Sequence, residues 1–250
     1  MVERKYWEKI APSYEEEIFD VLKQDKQQLI RQAIESRASA SHKVVDAGCA
    51  VGKWLPVLSP LFQQVTAVDI SAKNLAIAAA KYPELTNVTY QRADLSSAHI
   101  TMKGYDMAIC INAILSDSMT KRDRFFNQLS KAVKTNGSLV LVVPSLESWL
   151  LSRTIQKHYK IDQALFRGKI TDSEAASRYN NIQQGNVEID DVATKHYLGP
   201  ELQLTLERNG FAMEEQHKVE YDWHTEFVAP PAWLKDPKPF DWLCVCRKKN

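Results

Sequence analysis

The stretch Lys43-Val44-Val45-Asp46-Ala47-Gly48-Cys49-Ala50-Val51-Gly52 decides how the rest of the chain is read. A short β-branched run ends in an acid, glycines follow at 48 and 52, and a helical stretch around Trp54, Leu55, Val57 and Leu58 comes next. A strand that enters a tight turn and then a helix gathers backbone N–H groups and a helix N-terminus at one point. Glycines let a ligand approach the backbone with no Cβ in the way.

Working outward, the pattern repeats. Val65-Thr66-Ala67-Val68-Asp69 is a second β-branched run ending in an acid, and Ser71 can cap the alanine-rich helix that runs towards Pro83. Asn87-Val88-Thr89-Tyr90-Gln91 reads as a third strand and leads to Arg92-Ala93-Asp94-Leu95. Tyr105 to Ile111 reads as a fourth. A helix with Phe125, Phe126, Leu129, Ala132 and Val133 on its inner face stops at Asn136-Gly137. Ser138 to Val143 is a fifth strand, apolar throughout as expected when both faces are covered. Strands alternating with helices imply βαβ crossovers and a doubly wound, Rossmann-like parallel sheet with helices on both faces.

Before this core, Ser13 with Glu16 forms a capping box, and Ile18, Leu22, Leu29 and Ala33 predict one amphipathic helix over 13–35. After Pro144 the period changes. Residues 144–198 carry helical patches around Trp149-Leu150-Leu151 and Ala175-Ala176, which predicts a mostly helical insertion over the functional edge of the sheet. Pro200 then opens a further helix that Asn209-Gly210 ends, and 211–221 and 241–247 can form two last strands. The predicted organisation is a core of 1–143 and 199–250, with 144–198 as an acceptor-selecting lid.

Bulk properties bound the function. The chain has 250 residues, 44% hydrophobic and 25% charged, with a formal net charge of +1. That balance gives no whole-molecule field for nucleic acid or an anionic membrane. The first eight residues lack the apolar core of a signal peptide and no apolar run approaches a membrane span, which predicts a cytoplasmic chain. Cys49, Cys110, Cys244 and Cys246 form no C-x-x-C pair, so buried reduced thiols and no metal site are expected.

In a doubly wound sheet the carboxyl ends of the strands gather along one crevice. The turn at 46–52, Asp69 about 20 residues beyond it, and Asp94 therefore meet there, and an acid at the end of the second strand can accept both hydroxyls of a ribose. This reaches an adenosine-type ligand. A dinucleotide fingerprint would read G-x-G-x-x-G, which Gly48-Cys49-Ala50-Val51-Gly52-Lys53-Trp54 does not match. Asn112, just after the fourth strand, falls beside the same ligand.

Taken together, Val44 to Gly52, Ala67-Val68-Asp69-Ile70-Ser71, Arg92-Ala93-Asp94-Leu95, Tyr105 to Ile109 and Asn136-Gly137-Ser138-Leu139 resemble the successive motifs of class I S-adenosylmethionine-dependent methyltransferases. Tyr6 to Tyr14 is similar to an N-terminal signature of many small-molecule members. The resemblance implies a seven-stranded sheet with an antiparallel last strand and S-adenosylmethionine as cofactor. It places Asp46 and Gly48 along the methionine end, with Cys49 and Gly52 in the same turn. Asp69, followed by Ile70, falls at the ribose, Asp94 and the Leu95 backbone at the adenine, and Tyr14 at the methionine carboxylate. Many members have glycine where this chain has Ala50, which predicts that residue 50 avoids positive φ.

The implied reaction moves a sulfonium methyl to a small-molecule acceptor by in-line displacement, for which the protein supplies alignment and water exclusion. Asn112-Ala113-Ile114-Leu115 lacks the prolines and aromatic of the base-binding Asn-Pro-Pro-Tyr, which argues against a nucleic-acid acceptor. His196-Tyr197, just before the helix at 200, is the leading candidate for a general base, weighed against a packing histidine. His158-Tyr159 is the second. Arg153, Lys157, Lys160, Arg167 and Lys169 make the insertion locally basic, most simply as a solvated face. Two other classes compete: an NAD(P)-linked oxidoreductase on a Rossmann sheet, disfavoured by the glycine spacing, and a non-catalytic binding module, disfavoured by the intact acids.

Overall fold

A computed structural model describes residues 2–14, 18–97, 102–162, 171–189 and 192–250. The first helix, α1, covers Val2–Ile10 and runs into a 3-10 turn at Ala11–Ser13. The single helix expected over 13–35 is replaced by two separate ones, α2 (Val21–Gln24) and α3 (Leu29–Glu35). The cause is Asp25. Its Oδ1 accepts from Leu29 N (3.0 Å) and its Oδ2 from Ile30 N (2.9 Å), so a buried carboxylate starts a new helix where the first would have continued. The apolar spacing was real, but two helices divide it. Glu16 of the expected capping box lies outside the described residues.

The sheet contains β1 (Lys43–Ala47), β2 (Gln64–Asp69), β3 (Val88–Arg92), β4 (Tyr105–Ile111), β5 (Val133–Pro144), β8 (Phe211–Glu220) and β9 (Phe240–Lys248). Its order is β3-β2-β1-β4-β5-β9-β8. The first five strands are mutually parallel, and β9 runs antiparallel to both β5 and β8. The chain winds outward from β1 to β3 and then restarts on the other side of β1. The switch point, where a crevice opens above the carboxyl ends, therefore lies between β1 and β4. β5 begins at Val133, earlier than Ser138, because Val133 already pairs with Tyr105 and a register shift absorbs the turn at Asn136.

Both faces are covered. On one, Val44, Val65, Ile109, Val140 and Leu243 pack with α3, with α4 (Leu55–Leu58) and with α5 (Ala72–Lys81). On the other, Val45, Val68, Ala108, Leu141, Cys244 and Cys246 pack with α6 (Met119–Ala132). Burial on two sides explains why the central strands carry continuous apolar runs. All four cysteines are free and buried. No helix among the described residues is long and apolar enough to cross a membrane.

After β5, Ser145 caps α7 (Leu146–Tyr159) by accepting from Ser148 N at 3.1 Å. Thr171 and Glu174 form a capping box on α8 (Asp172–Gln183). An antiparallel hairpin follows, β6 (Asn186–Ile189) with β7 (Val192–Lys195), before α9 (Gly199–Arg208). The insertion therefore holds two helices and a hairpin among its described residues; the hairpin was not read from the sequence, because four-residue strands give too short an alternation. Arg167 and Lys169 lie outside the described residues.

Candidate functional site

The carboxyl ends of β1 and β2 carry Asp46 and Asp69, both buried. Asp69 organises the turn between them. Its Oδ2 accepts from Ala50 N (3.0 Å), and its Oδ1 accepts from Ser71 N (2.8 Å) and from Asn74 Nδ2 (3.3 Å). Gly48 N (2.8 Å) and Cys49 N (3.0 Å) both donate to Val68 O, and Gly52 N donates to Cys49 O at 2.8 Å. The amides of Gly48, Cys49, Ala50 and Gly52 are thus spent inside the protein.

What the turn presents instead is a buried carboxylate. Asp46 Oδ2 has no hydrogen-bond partner among the described residues. Burial, and then the charge of Asp69, push its pKa up to about 7. An ionised Asp46 here calls for a cation, and a pyrophosphate would meet like charge.

Both glycines are required by contact as well as by conformation. Gly48 has φ +85, and a Cβ on it would lie 2.3 Å from Ala113 Cβ in the loop after β4. Gly52 has φ +78, and its Cβ would meet Leu55 Cδ1 at 2.7 Å and Ala78 Cβ at 2.9 Å. Ala50 was expected to avoid positive φ, yet it sits at φ +47. Left-handed backbone costs a non-glycine residue roughly 1–2 kcal/mol, and the Ala50–Asp69 hydrogen bond holds it there.

The N-terminal segment closes one side. Tyr14 is raised in pKa by burial and by the charges of Asp69, Cys49, Asp46 and Asp20, which places its phenol against the turn. Lys53 Nζ stands 5.8 Å from the Tyr14 ring and bonds Asp20 Oδ2 at 2.8 Å. Glu8 Oε1 accepts from Ala72 N at 3.1 Å, tying α1 to the start of α5. Ile70 is half-buried and offers its O to Arg92 Nε at 3.4 Å. Asp94 is exposed at the crevice rim, where its Oδ1 accepts from Ser96 N (2.9 Å) and Ser96 Oγ (2.6 Å). The side chain of Leu95 is in the core.

Past β4, Asn112 adopts φ +48. Its side chain reaches over the end of β5 to β9, where Nδ2 donates to Asp241 Oδ2 at 2.9 Å. Tyr221 OH donates to the same oxygen at 2.9 Å. Asp241 and Tyr221 did not emerge from the sequence. Both belong to the last two strands, and only the antiparallel return of β9 brings Asp241 to this edge, opposite Pro144.

His196 and Tyr197 are not brought to the crevice acids by any hydrogen bond among the described residues. Tyr197 is a core side chain, with its OH given to Ile114 O at 2.8 Å and its ring edge-on to Phe126. Its proton is committed to anchoring the loop after β4. His196 is buried beside that loop's supports, with Nδ1 3.2 Å from Thr194 O. Burial, then the charges of Lys195 and Arg153, depress its pKa to about 4, so it is neutral at pH 7 and its Nε2 is an acceptor. His158 packs edge-on against Tyr159, which in turn packs on Trp233, as an aromatic surface group.

Residues 44–137 match the family model of the methyltransferase domain. Solved structures share the fold. An S-adenosylmethionine-dependent methyltransferase from Mesorhizobium loti is 19% identical, with a TM-score of 0.65, over 92% of this chain and 100% of its own. One from Methanosarcina mazei is 16% identical, with a TM-score of 0.60, over 86% and 95%. DhpI, in a complex with SAH, is 17% identical, with a TM-score of 0.62, over 98% and 94%. No curated protein matches the sequence significantly.

Proposed function

We propose that this chain, whose residues 44–137 match the model of the methyltransferase domain, binds S-adenosylmethionine and transfers its methyl group to a small-molecule acceptor. The observation that carries the reading is the inward-turned amides beside the unpartnered Asp46 Oδ2. That combination suits a cationic ligand and not a dinucleotide.

The bound cofactor supplies an electrophilic methyl group. Asp46 and the Gly48 backbone face its methionine and sulfonium end. Asp69 keeps one acceptor position for the ribose, on Oδ2, since each carboxylate oxygen can accept twice and Oδ1 already does. Asp94 retains Oδ2 for the adenine side together with the Leu95 backbone, and Ile70 borders the ribose. Cys49 and Gly52 shape the turn, Tyr14 closes it from above, and Asn112 stands where the methyl end leaves β4. Residues 144–198 supply acceptor selection, and neutral His196 is a base candidate of that segment.

Calorimetric titration with S-adenosylmethionine, S-adenosylhomocysteine and NAD tests the reading. Binding of the first two without NAD is expected. Tighter binding of NAD overturns it.

A further inference from the structure

The cofactor reading assigns ends of β3, β2 and β1, in that order, to adenine, ribose and methionine. The acceptor must then approach from the remaining side of the crevice, above β4, β5 and β9. That side carries a polar cluster, Asp241 and Tyr221, joined through Asn112 to the methyl end of the cofactor site. Asp241 is buried, and among the described residues it has no ion-pair partner. Its two hydrogen bonds among the described residues, from Asn112 Nδ2 and Tyr221 OH, both land on Oδ2. Oδ1 is therefore the oxygen left to receive a donor.

Two further facts point to what is missing. Asn112 Nδ2 donates one hydrogen to Asp241, and its Oδ1, an acceptor, is buried without a partner among the described residues. Burial raises the pKa of Asp241, and the charge of another carboxylate, Glu226, adds to it. A buried carboxylate and a buried amide oxygen side by side cost free energy until an N–H donor meets both. An alcohol or a thiol brings one hydrogen and no charge. A protonated amine brings several hydrogens and the compensating charge.

Resting on the methyltransferase reading, we propose that the acceptor is a small amine, held through its ammonium group by Asp241 Oδ1 and Asn112 Oδ1, and that Asp241 takes its proton. In the step, one ammonium N–H bond breaks and the proton passes to the Asp241 carboxylate. The freed nitrogen lone pair forms the N–C bond to the methyl carbon. The S–C bond breaks with its electron pair staying on sulfur, which leaves a neutral thioether and a methylammonium product. Tyr221 is a positioning residue, since it fixes Oδ2 and turns Oδ1 towards the acceptor.

The test uses the full chain saturated with S-adenosylhomocysteine and three matched probes, 2-phenylethylamine, 2-phenylethanol and 2-phenylethanethiol, titrated calorimetrically. The amine should bind at least about tenfold more tightly than the alcohol or thiol, a preference of roughly 1.4 kcal/mol or more. Asp241→Asn should abolish the preference while S-adenosylhomocysteine affinity stays within about threefold. Tyr221→Phe, which keeps the ring, should reduce the preference in part and serves if Asp241→Asn does not fold. Equal binding of the three probes, or an amine preference that survives in both variants, overturns the amine assignment alone. Failure of the wild-type chain to bind either form of the cofactor overturns the methyltransferase reading, and this inference with it.

Discussion

Ala50 N donates to Asp69 Oδ2 at 3.0 Å, and this one bond joins the acid assigned to the ribose to the only non-glycine residue of the turn in left-handed backbone. Asp69 therefore has two tasks, and substitutions can separate them. Asp69→Ala should lose cofactor affinity by about 100-fold or more, in line with roughly 3 kcal/mol for hydrogen bonds to a charged group. Far-UV circular dichroism should show the variant folded. An unchanged dissociation constant would remove Asp69 from the cofactor site.

Ala50→Gly should stabilise the protein. It relieves the φ +47 strain of about 1 kcal/mol, which for a chain of this size is a rise in Tm of roughly 2–4 °C. Thermal unfolding checks it, and a fall in Tm would mean that the Ala50 methyl makes a packing contribution larger than the strain.

Gly48→Ala should be severely destabilising, since its Cβ would sit 2.3 Å from Ala113 Cβ at φ +85. Adding Ala113→Gly should restore only part of the loss, because the clash is relieved and the backbone strain is not. Urea unfolding of the single and double variants measures both. Full rescue would show that φ at residue 48 is free to relax.

Cofactor binding should expel a proton from Asp46. In the free protein its pKa is about 7, and a neighbouring sulfonium favours the ionised form and lowers it. At pH 6.5 the binding enthalpy should vary with the ionisation enthalpy of the buffer, with the sign of proton release. Asp46→Asn should remove that dependence. A buffer-independent enthalpy in the wild-type chain would sink the assignment.

His196 should make the fold acid-sensitive. Its folded pKa, about 4, lies below the ordinary value, so the unfolded chain binds more protons between about pH 6.5 and 4 and stability falls as pH drops through that window. The full loss is on the order of 3 kcal/mol. Denaturant unfolding at pH 7 and 4.5 should show His196→Gln losing less than the wild type. An equal loss in both would mean that the imidazole is not desolvated.

Much of the architecture was legible because each parallel strand ends in a residue whose chemistry marks an edge. Asp46, Asp69 and Asp94 stand where a crevice had to open, and Ser71 caps the helix it was expected to cap. The break at Asp25 was not legible, because a carboxylate within an apolar periodicity looks the same whether it faces water or turns back on Leu29 and Ile30. Asp241 was invisible for a different reason. Its meaning comes from lying opposite Pro144 and within reach of Asn112, 129 positions away. The burial of His196 and Tyr197 was not legible either, because it follows a hairpin too short to be read.

That hairpin has a consequence for how the molecule can vary. Lys195 N bonds Leu115 O (2.9 Å), Tyr197 OH bonds Ile114 O (2.8 Å) and Asn186 Nδ2 bonds Asp117 O (3.1 Å), so the inserted segment is stitched to the loop that presses Ala113 against Gly48. The inserted segment and the loop beside Gly48 then share a single seam. A foreign 144–198 could keep the Lys195 N–Leu115 O bond, which runs main chain to main chain, but would leave the carbonyls of Ile114 and Asp117 without donors unless it carried a hydroxyl at 197 and an amide at 186. Those two side chains are what a transplanted segment has to bring with it.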